Sequence, residues 1–219
     1  MTNHIALIDH GVGNLRSVEK ALAAVGANVV LTREADVIAA AEKIVLPGVG
    51  AFGDCMRGLH ASNLLQLIMQ LAGERPFLGI CVGMQMLFES SDEMGSHPGL
   101  GLLPGVVTRF TATDIRIPHT GWNQLEPTGD HPLLAGIPAG SYAYFNHSYC
   151  CAPKDSADAL AYTDYGGCLF FLVCAGRPFG LRRRPHKNQP GGWVTFVAFF
   201  VRGGGGGLYT SGAVGGGAR

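Results

Sequence analysis

The chain has 219 residues, of which 47% are hydrophobic and only 15% charged, and its formal net charge is +0. That length fits one domain with a core large enough to fold without stabilising disulfides. Globular chains usually contain about 25% charged residues, so we expect a surface that is sparse in charge. The neutral balance also argues against a general nucleic-acid-binding protein, which would present a basic surface.

The sequence predicts neither a membrane segment nor a framework of metals or disulfides. No apolar run reaches the roughly 18 residues that a membrane helix needs. The opening residues MTNHIALIDHG lack a basic stretch followed by an apolar one, so we expect no secretory leader. The six cysteines form no C-x-x-C pair and have no regular spacing, which disfavours metal and disulfide sites and favours a reducing, cytoplasmic location.

Short apolar runs alternate with amphipathic stretches as far as about Tyr165. Strands are predicted at Ile5–Ile8, Val29–Thr32, 43–46 and 76–80, and helices at 17–25, 59–72 and 83–88. This alternation predicts an α/β fold of three layers, in which helices cover both faces of a mostly parallel central sheet. Residues 106–110 and 142–149 are expected to add antiparallel strands.

One cysteine lies where a strand is predicted to turn into a helix. The sequence there is Gly79-Ile80-Cys81-Val82-Gly83, and glycines on both sides of a nucleophile permit the strained turn that lifts its side chain clear of a sheet. The following helix N-terminus is expected to lower the pKa of the thiol and favour thiolate. A buried core cysteine beside packing glycines is the alternative, and the order of strand, turn and helix disfavours it.

A second glycine-rich turn, LPGVGAFG, follows the strand predicted at residues 43–46. Two of its glycines would let backbone N–H groups approach a ligand closely, as the stabilisation of an oxyanion requires. Taken alone, the segment is better explained as an ordinary strand-to-helix turn. A phosphate-binding loop is disfavoured because no Gly-Lys-Ser/Thr follows.

Five segments together point to a known family. IALIDHGVGNLRSV, LPGVGAFGD, FLGICVGMQMLFESSDE, PHTGWNQL and YFNHSY resemble, in the same order, the class I glutamine amidotransferases and among them the glutaminase subunits of imidazole glycerol phosphate synthase. The resemblance implies a flavodoxin-like class I amidotransferase fold without metal or organic cofactor. It also implies that glutamine is hydrolysed to glutamate and ammonia. A cysteine peptidase with the same turn is disfavoured by the segments GVGNLRSV and PHTGWN.

The resemblance also implies a partner and assigns residues. The partner is a cyclase subunit, which forms a heterodimer with the glutaminase and uses its ammonia to convert PRFAR to imidazole glycerol phosphate and AICAR. Cys81 matches the nucleophile, and Gly48, Val49 and Gly50 match the segment that stabilises the oxyanion. Residues that match the substrate-binding positions are Gln85, Glu93, His147, Ser148 and Tyr149. Residues that match the cyclase-facing surface are Asn14, Trp122 and Asn123.

Two of these assignments have plain alternatives. Glu93 considered alone is typical of a polar residue on an exposed surface, and Trp122 is equally compatible with a core position. The family match is what favours a role in binding for Glu93, whereas for Trp122 the two interpretations stay balanced.

The amino-acid composition changes after Asp164, the last acidic residue of the chain. The 55 residues that follow contain seven basic residues, no acidic residue and 15 of the 33 glycines. From Gly203 onwards the composition predicts disorder, and a nucleic-acid-binding arm is less favoured because residues 203–218 contain no charge. A composition rich in Arg, Gly and Pro without acids is also what GC-rich DNA gives when translated in a different reading frame.

The departure from the family lies in residues 179–189, which read FGLRRRPHKNQ. The family has a segment like FGVQFHPEKSQ, whose His takes the thiol proton and whose Glu orients that His. An ungapped match puts Arg184 at the histidine position and His186 at the glutamate position. Arginine stays protonated and cannot act as a base, while His186 is displaced by two residues, roughly 6–7 Å along a strand.

These observations predict an amidotransferase domain over residues 1–202, degenerate over 168–202, followed by a glycine-rich tail over 203–219. The favoured function is the glutaminase subunit. The alternative is a catalytically inactive subunit that only binds the cyclase, and the pair Arg184 and His186 is the feature that separates the two.

Overall fold

The computed structural model describes residues 4–134 and 137–166, together with the backbone of four short strands further along. The helices are α1 (Leu15–Ala24), α2 (Ala35–Ala40), α3 (Phe52–Ala61), α4 (Leu65–Glu74) and α5 (Val82–Gln85). The strands are β1 (Ile5–Ile8), β2 (Val29–Thr32), β3 (Lys43–Gly48), β4 (Phe77–Cys81), β5 (Phe88–Ser91), β6 (His97–Pro98), β7 (Leu103–Arg109), β8 (His119–Pro127), β9 (Ser141–His147), β10 (Tyr149–Pro153), β11 (Ala159–Tyr162), β12 (Leu172–Ala175), β13 (Val194–Phe196), β14 (Val201–Arg202) and β15 (Leu208–Tyr209).

The strands form two sheets. The larger has the order β15-β14-β9-β8-β11-β12-β13-β4-β3-β1-β2, and it is parallel from β13 to β2 and antiparallel elsewhere. The smaller has the order β10-β7-β5-β6. The parallel part holds β3 and β4, the two strands whose carboxyl ends carry the glycine-rich turn and Cys81. Carboxyl ends of neighbouring parallel strands meet at one edge, so the topology brings these two segments together.

Helices cover both faces of the parallel strands, so every residue of β1 is buried. Side chains alternate between the faces of a strand. Ala6 and Ile8 therefore pack into the cluster that also contains residues of α2, α3 and α4. Ile5 and Leu7 pack on the other face, where Leu22 of α1 meets them. The predicted three-layer α/β architecture with a parallel central region is confirmed.

The single helix predicted over residues 59–72 is two helices with a break between them. Helix α3 ends at Ala61 and α4 begins at Leu65, and Asn63 between them has φ +59°. The Ser62 hydroxyl donates to the Leu59 carbonyl (2.7 Å) and accepts from the Leu64 N–H (3.4 Å). A serine side chain that competes for backbone groups, followed by an asparagine that tolerates left-handed φ, ends the helix within an otherwise continuous apolar pattern.

The helix predicted over residues 83–88 is much shorter than expected. Helix α5 makes a single turn and the chain then enters β5. The Met86 carbonyl accepts from the Leu100 N–H (2.7 Å) and the Phe88 carbonyl from the Gly101 N–H (3.0 Å). These long-range bonds use carbonyl groups that a continuing helix would need for its own ladder. Helix α2 is an element that the sequence pattern did not predict.

The two predicted antiparallel additions are only partly correct. The first belongs to β7 of the smaller sheet, which runs antiparallel to β10 but parallel to β5. The second is two strands, because β9 lies in the large sheet and β10 in the small one. Ser148 is the single residue between them. The segment predicted as one strand therefore joins the two sheets.

The contact between α5 and the ends of β3 and β4 is possible only because glycines lie there. A Cβ atom added at Gly48 would lie 2.6 Å from the Gly83 nitrogen, and one at Gly79 would lie 2.7 Å from the Met84 Cα. A Cβ at Gly83 would overlap the Leu46 carbonyl oxygen. Because the atoms in the way are backbone atoms, no side-chain rotation could relieve these overlaps.

We expect Gly83→Ala to destabilise the fold. The added methyl group must push the α5 backbone away from β3, and overpacking of this kind costs roughly 1–3 kcal/mol. The control is Gly73→Ala in α4, where nothing lies within 4 Å of the added Cβ and alanine stabilises a helix by about 0.5–1 kcal/mol. Urea denaturation should therefore show a lower free energy of unfolding for Gly83→Ala and a higher one for Gly73→Ala than for the unmodified chain. A loss of stability in Gly73→Ala equal to that in Gly83→Ala would contradict the assignment.

Candidate active site

Cys81 lies on the strained turn that the sequence predicts. It is the last residue of β4 and immediately precedes α5, and its backbone has φ +57° and ψ −121°. A non-glycine residue held at positive φ costs on the order of 1–3 kcal/mol, and such residues cluster at functional sites. The surrounding strands and the glycine contacts of α5 hold it in that conformation. The turn therefore has the geometry of a nucleophile elbow.

The glycine-rich turn lies directly beside this cysteine. Gly48 is the register partner of Cys81 in the parallel pair β3–β4, and Gly50 has φ +83°. Val49 is 40% exposed although the strand before it is buried. Val49 thus follows the register partner of Cys81 at an open end of β3, and the stabilisation of an oxyanion by residues 48–50 stays a prediction.

Two side chains fix the carbonyl groups of this turn. The Nε2 of His10 is 2.7 Å from the Pro47 carbonyl oxygen, and the Cys55 Sγ donates to the Val49 carbonyl oxygen at 3.3 Å. Burial raises the pKa of the Cys55 thiol to about 11, so that thiol remains a neutral donor near pH 7. Neither residue could be predicted from the sequence, because neither belongs to a spacing pattern that would single it out.

Glu93 contacts the opposite side of the same turn. Its carboxylate accepts a hydrogen bond of 2.6 Å from the backbone N–H of Phe52, the first residue of α3. The first N–H groups of a helix lack intrahelical partners, so the carboxylate satisfies one of them and ties the segment after β5 to the turn. Glu93 is therefore more than an exposed polar residue, while its predicted contact with substrate stays a prediction.

Gln85 is brought together with the segment that contains Ser148. The Gln85 side-chain Nε2 donates to the Tyr149 carbonyl at 3.4 Å, and the His147 Nδ1 lies 2.9 Å from the same oxygen. Two of the predicted substrate-binding side chains, those of Gln85 and His147, thus contact the backbone carbonyl of a third, Tyr149. Because α5 starts directly after Cys81, this carbonyl connects the antiparallel region to the nucleophile turn.

The expectation that a helix dipole favours the thiolate is wrong in direction. Burial raises the pKa of the Cys81 thiol, and the hydrogen bond from the Val82 N–H opposes that shift without outweighing it. The dipole effect sums over aligned peptide units, and α5 supplies only one turn. Desolvation of the charged sulfur is the larger effect here, so the described residues leave the thiol protonated near pH 7.

The predicted partner-facing residues lie at separate places. Trp122 on β8 is 47% exposed, so the alternative that it is a core residue is wrong. Its ring packs edge-on against Tyr144 of β9, with the ring centroids 5.7 Å apart. Asn123 points the other way, and its side chain donates to the Asp164 carbonyl at 3.1 Å. Asn14 is exposed at the start of α1, and five strands separate β8 from β1 in the sheet.

The remaining expectations concern residues 167–219. Arg184 and His186, the degenerate segment 168–202 and the tail 203–219 lie outside the described residues, apart from the strand backbones given above. Within the part of the chain that is described, no three His, Cys, Asp or Glu side chains are grouped so as to hold a metal ion. In the same part, no helix is long and apolar enough to cross a bilayer.

Comparison with known proteins supports the same family. The family model for class-I glutamine amidotransferases matches residues 6–178. The imidazole glycerol phosphate synthase subunit HisH of Salinibacter ruber is 47% identical over 193 residues, which covers 85% of this chain and 88% of that protein. HisH of Methylococcus capsulatus is 44% identical over 208 residues, covering 90% and 95%, and HisH of Aquifex aeolicus is 44% identical over 188 residues, covering 85% and 90%.

Similarity to solved structures supports the fold. A glutamine amidotransferase structure matches with a TM-score of 0.60 and 18% identity, covering 77% of this chain and 83% of its own. A putative GMP synthase component from Thermoplasma acidophilum matches with a TM-score of 0.58 and 16% identity, covering 91% and 84%. The chain, an α/β protein with a cysteine on a strained turn beside a glycine-rich strand end, belongs to the class I glutamine amidotransferases and, within them, to the HisH subunits of imidazole glycerol phosphate synthase.

Proposed function

We propose that this chain is the glutaminase subunit of imidazole glycerol phosphate synthase. It hydrolyses glutamine to glutamate and ammonia, and the ammonia passes to a cyclase subunit that converts PRFAR to imidazole glycerol phosphate and AICAR in histidine biosynthesis. The observation that supports this most is the pairing of Cys81, at positive φ, with Gly48 of the glycine-rich turn. In this arrangement a nucleophile and oxyanion donors can act on one carbonyl group.

The reaction divides into two steps at Cys81. The sulfur attacks the carbon of the glutamine side-chain amide, and the carbonyl oxygen becomes an oxyanion stabilised by backbone N–H groups of the turn at 48–50. Collapse of this intermediate breaks the C–N bond, transfers a proton to the nitrogen and leaves a glutamyl thioester with release of ammonia. Water then hydrolyses the thioester to glutamate and regenerates the thiol.

The residues around the turn are suited to hold glutamine. The Glu93 carboxylate lies at the start of α3 beside the turn and would attract the α-ammonium group of the substrate. Gln85 offers amide donors and an acceptor, and backbone groups of residues 147–149 would form further hydrogen bonds to it. This division of labour leaves Cys81 to react with the distal amide.

Proton transfer is the step at which this sequence departs from the family. The pKa of Cys81 is raised by burial, so attack requires a base that accepts the thiol proton and returns it to the leaving ammonia. Arg184 stands at the family's histidine position and stays protonated. The family-model match ends at residue 178, before Arg184 and His186. This pair is the feature that separates the proposed function from the alternative, a cyclase-binding subunit without glutaminase turnover.

The proposed assembly is a heterodimer with the cyclase in the cytoplasm. The exposed Trp122 on β8 supplies its docking surface. The exposed Asn14 would be a separate contact at the start of α1, and Asn123 points to the other face of β8, where its side chain donates to the Asp164 carbonyl. Neither nucleic acid nor a membrane is proposed as a partner. The overall chemistry is that of a hydrolase acting on glutamine, coupled to a lyase reaction at the cyclase.

We expect alkylation of Cys81 by iodoacetamide to depend steeply on pH. Because the thiol pKa is raised, only a small thiolate fraction exists at pH 7, and the rate should rise about tenfold per pH unit until the pH passes the raised pKa. Peptide mass mapping at several pH values measures this, with Cys81→Ala as the control that removes the labelled peptide. A rate already constant between pH 6 and pH 8 would show a lowered pKa instead.

We expect the unmodified chain to release glutamate slowly, even with the cyclase present, because Arg184 stands at the position of the general base. Loss of a general base costs typically about 10²–10⁴-fold, so restoring the family pattern with Arg184→His and His186→Glu together should raise turnover by a factor in that range. The control is the same double variant with Cys81→Ala, which should be inactive. Robust turnover by the unmodified chain that is abolished by His186→Ala would show that His186 is the working base.

We expect Trp122→Ala to weaken binding to the cyclase while the chain stays folded. Exposed aromatic residues often dominate an interface, and their truncation costs on the order of 2 kcal/mol or more. The matched control is Val106→Ala, which truncates a 37% exposed residue on β7 of the other sheet. Calorimetric titration with the cyclase should separate the two variants. Equal affinities of both variants and the unmodified chain for the cyclase would show that Trp122 is not part of the interface.

A further inference from the structure

A buried imidazole that the proposed mechanism does not use lies on β8. His119 is 4% exposed and stacks between two aromatic rings. Its ring centroid is 4.6 Å from that of Phe145 and 3.7 Å from that of Tyr165, with interplanar angles of 14° and 13°. The two rings cover both faces of the imidazole. The nitrogens of an imidazole bond within the plane of the ring, and the stack fixes the orientation of that plane.

Both nitrogens of His119 have partners. The Nδ1 lies 3.3 Å from Nε2 of His147, across the β8–β9 pair. The Nε2 lies 3.4 Å from the side-chain Nδ2 of Asn123. The His147 ring continues the chain, because its Nδ1 lies 2.9 Å from the Tyr149 carbonyl oxygen. These three contacts run in series from Asn123 to Tyr149.

The bonding partners determine which nitrogens hold protons. A carbonyl oxygen can only accept, so the His147 Nδ1 must carry the proton and its Nε2 must accept. The His119 Nδ1 must then donate to it, and the His119 Nε2 accepts from the Asn123 amide. Burial lowers the pKa of His119 to about 4, with a further contribution from His147, and burial also lowers the pKa of His147. Both rings are therefore neutral near pH 7, as this arrangement requires.

The chain of hydrogen bonds ends at a group of the proposed active site. The Tyr149 carbonyl that accepts from His147 also accepts from the Gln85 side chain at 3.4 Å. Gln85 belongs to α5, which begins immediately after Cys81. A rotation of the His147 ring would move the hydrogen bond that the carbonyl receives, and with it the carbonyl that Gln85 contacts.

We propose that His119 is a positioning residue for glutamine binding. Its Nδ1–H holds the His147 ring, which holds the Tyr149 carbonyl, and that carbonyl orients the Gln85 side chain toward the substrate. This inference rests on the proposed function, because it assumes that glutamine binds beside Cys81. His119 does not touch the substrate and acts only through His147.

Two substitutions separate the hydrogen bond from the stacking. His119→Phe keeps an aromatic ring between Phe145 and Tyr165 but cannot donate to His147. His119→Asn keeps an N–H donor close to the Nδ1 position but loses the stack. Gln124→Ala is the control on the exposed side of the same strand. Circular dichroism and cooperative thermal unfolding establish that each variant is folded.

The probe is 6-diazo-5-oxo-L-norleucine, a glutamine analogue that alkylates the nucleophile once it is bound. Labelling of Cys81 is followed by peptide mass mapping, which does not require a complete turnover. In His119→Phe the apparent dissociation constant of the probe should rise about tenfold or more, while the maximal labelling rate and the rate with iodoacetamide change by about twofold at most. His119→Asn and Gln124→Ala should both stay close to the unmodified chain.

The outcomes separate this inference from the proposed function. Labelling of the unmodified chain with unchanged affinity in His119→Phe overturns the role of His119 and leaves the glutamine site in place. Failure of the analogue to label Cys81 faster than iodoacetamide in the unmodified chain overturns both.

A second measurement needs no substitution, and it keeps the inference testable if His119→Phe does not fold. Imidazole ¹⁵N chemical shifts at pH 7 report which nitrogen of each ring is protonated. Both rings should have the proton on Nδ1. A proton on Nε2 of His147 would prevent His119 from donating to it and would overturn the inference.

Discussion

The site depends on an approach of one backbone to another that no residue except glycine allows. Helix α5 lies against the carboxyl ends of β3 and β4, and added Cβ atoms at Gly48, Gly79 and Gly83 would all meet backbone atoms. This contact sets the distance between Cys81 and the glycine-rich turn. It also fixes the position of the Gln85 backbone, from which the side chain extends to the Tyr149 carbonyl. The parallel strands and the helix layers on both sides hold the two backbones together, and the cost of the positive φ at Cys81 is met by that packing.

Most of the large-scale architecture could be predicted from the sequence, because it follows from strong periodic patterns. The apolar runs at Ile5–Ile8 and Val29–Thr32 became strands with those bounds, and the order of strand, turn and helix around Cys81 was sufficient to predict its turn. The errors arose where a local hydrogen bond overrides the apolar pattern. Ser62 and Asn63 interrupt a run that otherwise reads as one helix. Long-range bonds from residues 100 and 101 convert the predicted end of α5 into a strand.

The candidate site was predictable only in part. The cysteine and the glycine turn have positional signatures, and the family resemblance supplied the substrate residues. The protonation of Cys81 could not be predicted, because it depends on the balance between burial and a single N–H group rather than on the presence of a helix. His10 and His119 act through partners that lie 37 and 28 residues away, and Cys55 acts through a carbonyl of the preceding turn. No spacing rule could have identified contacts of that kind.

The strand β8 divides its residues between the two proposed roles, binding of the cyclase and placement of glutamine. His119 and Asn123 point inward, where His119 contacts His147. Trp122 points outward, and Thr120 and Gln124 are exposed on the same face. Because the period of a strand is two, the two sets alternate along the same strand. Exposed residues can be exchanged one at a time without touching the buried series. Partner preference and substrate placement can thus diverge independently during evolution, whereas an insertion or deletion of one residue within β8 would exchange the two faces and abolish both at once.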